Sequence, residues 1–287
     1  MRLSAGWMLC SIFPMYNNEK RGIVGEGSYM LIEQQLFEKR DKVQEAIKTL
    51  QELEPKEGYY VADSGGKDSD VIYALVHMAG VKADYHHGLT TIDPPDVIYH
   101  MREFHKDTVI ERPEIPLLQK LIKKGYPTRQ FRWCCAIYKE HGGEGRFVVT
   151  GVRGAESVKR SKRKMVEFCY RGTGKRYLNI IHSWTSEDVW EFHEKYNIPY
   201  CKLYDEGWER IGCLMCPNAK PAERKLQAER YPKYTANFIR YFEKRYAYAQ
   251  ERGLTSATRF SSGKEMFDFW LNEDKNQDNP DQSILFE

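Results

Sequence analysis

A doubly wound, mostly parallel five-stranded α/β sheet with helical additions at both ends is the fold that three features of the sequence predict. Short apolar runs alternate with segments of helical periodicity between residues 59 and 196, the pattern of repeated βαβ units. The first run ends in Ser64-Gly65-Gly66-Lys67-Asp68-Ser69, a glycine loop set between a strand and a helix. From Pro221 onward the pattern is helical.

Residues 1–30 show no periodicity and form an arm. Leu31, Ile32, Leu36, Val43, Ile47 and Leu50 recur at helical spacing among charges, so a helix is expected over 31–53, broken by Glu54-Pro55-Lys56-Glu57-Gly58. Strands are expected at Tyr59–Ala62, Ala83–Leu89, Thr108–Ile110, Arg146–Thr150 and Leu178–Ile181. Helices fall at Val71 to Met78, Val97–Phe104 and Leu117–Lys124, and Thr185 with Asp188 opens another through Tyr196, close to a capping box. Strands that alternate with helices in this way are covered on both faces. Three more helices are expected over 223–229, 234–251 and 264–271, followed by a polar tail. In the second of them Tyr234, Phe238, Tyr241, Phe242, Tyr246 and Tyr248 sit mostly three or four apart, a packing stripe more readily than a base-stacking platform. The chain thus divides into an arm and helix over 1–57, an α/β domain over 58–220 and a helical region over 221–287.

Hydrophobic residues at 41% and charged residues at 30% exclude a mostly disordered or low-complexity chain. Lys plus Arg at 44 against Asp plus Glu at 41 leaves +3, so an anionic partner must be argued from local sites. No uncharged apolar run reaches the roughly 18 residues that span a bilayer, so no membrane partner is expected. The apolar patch from Trp7 to Phe13 runs into Pro14 without a small-residue cleavage pattern, which argues against a secretory leader. Seven cysteines, an odd number in a chain of this length, point to reduced thiols in the cytoplasm, and clustered ones to metal.

The loop Ser64 to Ser69 has the parts of an anion cradle at a helix N-terminus: two glycines for a tight nest, serine hydroxyls at both ends and the charge of Lys67. Neither the Walker A spacing nor the dinucleotide Gly-x-Gly-x-x-Gly fingerprint is present. Ser-Gly-Gly-x-Asp-Ser at the first strand-to-helix turn resembles the pyrophosphate loop (PP-loop) of the adenine nucleotide alpha-hydrolase superfamily of ATP pyrophosphatases. Three further segments are similar to its phosphoadenosine phosphosulfate reductase branch. They are Thr90 to Asp96, Gly151-Val152-Arg153-Gly154-Ala155-Glu156-Ser157, and the block from His182 to Trp190 continuing through Ile198-Pro199-Tyr200 to Leu203-Tyr204. The resemblance covers about Gly58 to Pro221 and implies an adenine nucleotide alpha-hydrolase-like fold. It implies nucleotide contacts from Ser64, Gly65, Gly66, Lys67, Asp68, Ser69, Thr91, Asp93, Gly151, Arg153 and Glu156, with Lys67, Asp68 and Arg153 at the reacting phosphates.

Arg153 is also a ligand candidate on its own chemistry, being a planar fork expected at the end of a central strand. Lys159-Arg160-Ser161-Lys162-Arg163-Lys164 follows with five positive charges in six residues, either a solvated loop or a groove for a polyanion.

Cys213-Leu214-Met215-Cys216-Pro217 is a CxxC followed by proline, and Cys134-Cys135 is a vicinal pair. Adjacent cysteines in extended backbone point to opposite faces, so Cys134 and Cys135 can share a site only from bent backbone. Structural zinc favours two spaced pairs, whereas four thiolates can close a [4Fe–4S] cubane; zinc and free thiols remain as alternatives. The pair plus CxxC resembles the cluster signature of adenylylsulfate reductases and of related DNA phosphorothioation enzymes. Cys10, Cys169 and Cys201 have no partner at ligand spacing, and Cys169 near the basic run is an outside candidate for a sulfur carrier. The reductases' C-terminal Glu-Cys-Gly-x-His-like segment has no match, for no cysteine follows Cys216.

The resemblance implies an ATP-dependent enzyme of sulfur incorporation. ATP with Mg²⁺ would lie on the loop, with Asp68 or Asp93 helping to hold the metal. An acceptor, nucleic acid among the candidates, would be adenylated and then take sulfur from a carrier such as a cysteine desulfurase. Two alternatives stand beside it: a phosphosulfate reductase using an external thiol, and a non-catalytic nucleotide-binding subunit of a larger complex.

Overall fold

The computed structural model describes residues 31–34, 39–170 and 172–273. They fall into two compact units: one comprises residues up to 87, 95–111 and 142–211, the other 88–94, 112–141 and those from 212. The boundaries expected near 57 and 220 do not mark these units, because each is assembled from segments distant in sequence.

In chain order the strands are β1 Ile32–Gln34, β2 Lys39–Asp41, β3 Tyr59–Ala62, β4 Ala83–Gly88, β5 Thr108–Glu111, β6 Phe147–Val149, β7 Val166–Phe168 and β8 Arg176–Leu178. The helices are α1 Lys42–Glu52, α2 Lys67–Ala79, α3 Pro95–Phe104, α4 Leu117–Lys124, α5 Trp133–Tyr138, α6 Val158–Ser161, α7 Ser186–Lys195, α8 Pro221–Arg230, α9 Pro232–Glu251, α10 Thr255–Arg259 and α11 Gly263–Asn272. No helix among the described residues is long and apolar enough to cross a membrane.

The first unit is built on a six-stranded sheet in the order β5-β4-β3-β6-β8-β7. β3 runs parallel to β4 and β6, and β6 parallel to β8, while β7 is antiparallel to β8 at the edge. The sequence predicts five strands, and the sixth is β7, which directly follows the basic run. Its side chains are largely exposed, so it lacks the apolar signature of a buried strand. The last parallel strand also ends at Leu178 rather than Ile181. Turn hydrogen bonds from His182 N–H to Asn179 and from Trp184 N–H to Ile181 carry the buried Ile180 and Ile181 beyond it.

The expected helix over 31–53 begins only at Lys42. The Asp41 carboxylate accepts the Val43 and Gln44 N–H groups and so caps α1, while 32–34 and 39–41 pair antiparallel. Lys42 Nζ then reaches Asp188 at 2.8 Å, a buried ion pair that ties α1 to α7, where the expected Thr185–Asp188 capping box is formed. α2 packs against both helices, and Val71, Ile72, Leu75 and Val76 on it are no more than 1% exposed. Each such side chain contributes about 1.5–3 kcal/mol by leaving water.

The second unit is helical. Phe238 and Phe242 on α9 lie 5.6 and 5.4 Å from the Trp270 ring of α11, and both phenylalanines are buried. Trp270 Nε1 donates to the Pro127 carbonyl at 2.7 Å. Arg245 reaches the carbonyl of Ile122 at the end of α4, so α9 packs on α4 as well as on α11. The aromatic stripe of α9 is therefore a core face at its phenylalanines, with its tyrosines half-buried at the margin.

Candidate functional site

β3 is the switch point of the sheet. The chain extends the sheet through β4 and β5 on one side of β3 and through β6, β8 and β7 on the other. The loops that leave β3 and β6 therefore emerge together, where open α/β sheets bind ligands. The first is Ser64 to Ser69. Gly65 has φ +65°, and a Cβ there would lie 2.7 Å from Met101 and Val97 side-chain atoms, so only glycine fits. Buried Asp63 holds the turn: its Oδ1 accepts from Gly65 N–H at 3.0 Å and Ser69 Oγ at 2.7 Å. Its Oδ2 meets His105 Nδ1 and Thr108 Oγ1, both at 2.7 Å. Burial by itself raises the Asp63 carboxyl, but His105, Ser69 and Thr108 together hold it well below the usual carboxylate range.

Ser69 Oγ also accepts the Ser64 N–H at 2.8 Å, so this hydroxyl braces the loop instead of facing a ligand, whereas Ser64 is exposed. The Tyr204 hydroxyl accepts Lys67 N–H at 3.0 Å, and His193 Nε2 lies 2.8 Å from the Lys67 carbonyl. Gly66 and Asp68 keep N–H groups without a partner among the described residues, at the N-terminus of a 13-residue helix.

The second loop brings in Arg153. Its Nε donates to Asp68 Oδ1 at 2.6 Å and its Nη1 to Ser186 Oγ at 3.3 Å. Lys67 Nζ donates to the other Asp68 oxygen at 2.8 Å. Lys67 and Arg153 are 7% and 3% exposed, so two nearly inaccessible cations share one carboxylate and leave positive charge for an anion. Gly151 allows the two loops to meet, since a Cβ there would stand 3.1 Å from the Asp68 carbonyl oxygen. Glu156 faces its own turn: it accepts Arg153 N–H at 3.2 Å and pairs with Arg160.

Thr91 and Asp93 belong to the second unit. Thr91, at φ +67°, accepts the Leu117 N–H on its hydroxyl. Asp93 Oδ2 takes both the Thr90 N–H and its hydroxyl at 2.7 Å.

The same unit gathers the four cysteines. Cys134 and Cys135 lie on the single short helix α5, the bent backbone that a vicinal pair needs to share a site. Cys213 and Cys216 bracket a turn with Met215 at φ +54°, pinned by Met215 N–H to Gln227 Oε1 at 2.6 Å and Leu214 N–H to the Ile92 carbonyl at 2.8 Å. The hydrogen bond from Cys134 brings the Cys135 thiol down to about 6, with Arg132 and Lys139 adding to the pull against desolvation. Cys134 is pushed up by the same bond, by desolvation and by the negative charge of Cys135, with smaller pushes from Cys213 and Cys216. Desolvation raises Cys213 to about 11 against the pull of Lys139. Lys139 is itself drawn down by desolvation, yet Cys213 and Asp93 hold it above lysine's ordinary range. No three of the thiol sulfurs lie within 4.8 Å of one another among the described residues.

Sequence reasoning missed Asp63, His105, Tyr204, His193 and Lys139. Asp63 and Lys139 adjoin or approach the motifs, but only folding shows what they hold.

Residues 58–219 match the phosphoadenosine phosphosulfate reductase domain. The chain belongs to that family. The match takes in both loops and all four clustered cysteines, so the family's nucleotide-binding PP-loop enzyme domain is what this chain carries. Among relatives, an uncharacterized protein of Methanocaldococcus jannaschii is 30% identical over 209 residues, covering 69% of this chain and 50% of that protein. An adenosine 5'-phosphosulfate reductase of Oceanobacillus iheyensis is 32% identical over 114 residues, or 37% of this chain and 47% of that enzyme. The chain spans half or less of the length of these curated relatives. The crystal structure of phosphoadenylyl-sulfate reductase from Candida auris is similar at 17% identity and a TM-score of 0.45, over 60% of this chain and 87% of that one.

Proposed function

We propose that this family member is an ATP pyrophosphatase of sulfur incorporation that adenylates an acceptor, with nucleic acid as the acceptor class. The observation that carries the reading is the convergence of Lys67 and Arg153 on Asp68 at the switch point. The free N–H groups of Gly66 and Asp68 bind phosphate oxygens, and Lys67 with the remaining Nη2 of Arg153 stabilises the charge that builds on departing pyrophosphate. An acceptor oxygen attacks the α-phosphorus, the bond to the bridging oxygen breaks, and pyrophosphate leaves. A hydrosulfide sulfur then displaces AMP from the adenylated acceptor; a persulfide would displace AMP as a disulfide adduct that a second thiol cleaves, leaving the carrier as a disulfide. Asp68 is the carboxylate in this unit placed to hold Mg²⁺ once a nucleotide has taken over Lys67 and Arg153.

Cys134, Cys135, Cys213 and Cys216 would hold a [4Fe–4S] cluster. Four thiolates on a tetrahedral zinc stand about 3.8 Å apart, given Zn–S bonds of ~2.3 Å, and a cubane spreads its ligands further. Cys134 and Cys135 share the bent backbone of α5, and the charges of Cys213 and Cys216 reach Cys134, so the four thiols belong to one group. The cluster would supply one-electron redox chemistry.

The acceptor class is supported by the surface around β7. Phe168, the last residue of the edge strand β7, and Tyr170, two residues beyond it, are 78% and 90% exposed next to the basic run. Arg160 and Arg163 are paired with Glu156 and Glu167, whereas Lys159, Lys162 and Lys164 make no ion pair among the described residues. Exposed rings beside unpaired lysines suit unstacked bases and their backbone. A sulfur-carrier protein such as a cysteine desulfurase would serve as donor.

A second reading, phosphosulfate reduction with an external thiol, is favoured by the relatives that are adenosine 5'-phosphosulfate reductases. Buried Cys201, its thiol pushed up to about 12 by burial, is a poor nucleophile for that reaction. Incubation with ATP, acceptor and sulfur donor should release pyrophosphate and AMP. Sulfite from a phosphosulfate and a thiol, with no pyrophosphate from ATP, would establish the reductase instead.

A further inference from the structure

We propose that Asp70, His100 and His105 form a second metal site, a buried one for zinc or a divalent ion of like preference, separate from the cysteines. Asp70 lies in the first turn of α2, directly after the phosphate loop, His100 on α3, and His105 just after α3. All three are buried, at 0%, 5% and 1% exposure. His100 Nε2 stands 3.2 Å and His105 Nε2 3.3 Å from Asp70 Oδ1, and the three ligand atoms lie within 4.8 Å of one another. Donors bound tetrahedrally at ~2.0–2.1 Å are separated by about 3.3–3.4 Å, so these two separations are already those of a coordination shell.

The hydrogen-bond chemistry points the same way. Asp63 Oδ2 lies 2.7 Å from His105 Nδ1, and an ionised carboxylate only accepts, so the proton of a neutral ring belongs on Nδ1. Desolvation lowers the ring's affinity for a proton, but Asp63 and Asp70 on its two sides raise it above the ordinary histidine range, and a metal would take the place of the proton on Nε2. Asp70 Oδ2 is buried without any hydrogen-bond partner, an arrangement that costs free energy in an apolar interior and that a metal would relieve. Two imidazole nitrogens and one carboxylate make three protein donors of the hard-to-borderline kind that zinc accepts. Asp63 would orient His105 as an outer carboxylate orients a metal-bound histidine.

Because Asp63 also holds Gly65 N–H and Ser69 Oγ, the ion would brace the phosphate loop from beneath. Its burial means that it enters during folding and leaves slowly.

The site is independent of the proposed activity, and metal analysis tests it. The Cys134→Ala, Cys135→Ala, Cys213→Ala, Cys216→Ala variant, expressed with zinc and passed over a chelating resin, should retain about one equivalent of zinc. Adding His100→Phe and His105→Phe should remove it. A second measurement serves if the cysteine variant does not fold: otherwise intact protein expressed with cobalt should lose about one equivalent of bound cobalt on the His100→Phe, His105→Phe change, while the thiolate-to-cobalt charge-transfer band of the cysteine site stays. The proposal is overturned by a folded cysteine variant that retains no metal, by metal retention unchanged in the histidine variants, or by a cobalt content that those variants leave unchanged.

Discussion

Arg153 Nε and Asp68 Oδ1 meet at 2.6 Å although 85 residues separate them, and this bond joins the two loops of the sheet's switch point. It opposes ligand binding as well as shaping the site, because Asp68 occupies the two cations that an anion would use.

The two residues should therefore move nucleotide affinity in opposite directions. Arg153→Met removes a charge-assisted donor and should weaken ATP binding by about 10- to 100-fold, in keeping with ~1.5–3 kcal/mol for a hydrogen bond to a charged group. Asp68→Asn should tighten Mg²⁺-free ATP or pyrophosphate while lowering turnover, since the released cations gain the anion but the metal loses its carboxylate. Calorimetric titration with and without Mg²⁺ reads both effects. Equal weakening in both variants would rule out the shared-carboxylate account.

Gly65→Ala should cost more than affinity. The residue sits at φ +65° with Met101 and Val97 atoms 2.7 Å from where a Cβ would fall, so the change brings backbone strain and overpacking together. A loss of about 2–4 kcal/mol is expected from an unfavourable left-handed conformation and a core clash. Urea denaturation checks it. A stable Gly65→Ala protein that merely binds ATP less well would show that the loop relaxes freely.

Asp188→Ala should destabilise the first unit by about 3–5 kcal/mol, the usual loss when one member of a buried ion pair is removed and the other remains charged. Lys42 Nζ would keep only Glu33, at 2.7 Å on a half-exposed side chain. The Thr185 cap would lose its reciprocal bond in the same step. Lys42→Met combined with Asp188→Leu should restore much of the loss, because the buried charge is then gone from both sides.

The cysteine site should give brown protein when purified without oxygen, with iron and acid-labile sulfide in near-equal amounts. Each of Cys134, Cys135, Cys213 and Cys216 should be required for the colour. Zinc in place of iron, lost on replacing those cysteines, would establish the zinc alternative instead.

What the sequence showed of this site, and what it hid, follows from how local each feature is. The loop at Ser64 to Ser69 and the cap at Thr185 are set by neighbours in the chain, and both stand where the residue pattern puts them. The helix expected from Leu31 failed because Leu31 and Val43 share a helical spacing yet reach the core from different elements, Leu31 just ahead of β1. β7 was hidden because an edge strand with Phe168 turned to water has no buried face to announce it. Asp63 gains its meaning from His105, 42 residues on, and Lys67 N–H from Tyr204, 137 residues on. Such partners carry no local signal.

The surface at β7 makes the most discriminating prediction, since its rings and its lysines should contribute by different physics. Phe168→Ala and Tyr170→Ala should each weaken single-stranded nucleic acid by about 1–3 kcal/mol, the range for a base stacked on an aromatic ring, without changing the dependence on salt. Replacing Lys159, Lys162 and Lys164 by glutamine should instead lower the slope of log affinity against log salt by about 2, as three phosphate contacts each release ~0.7 of a counterion from a single strand. Arg160 and Arg163 should matter less, because Glu156 and Glu167 already neutralise them. Fluorescence anisotropy with a labelled oligonucleotide across a salt series separates the two classes. If no binding appears even at low salt, the acceptor is a small molecule, and the phosphosulfate reading then stands above the nucleic-acid one.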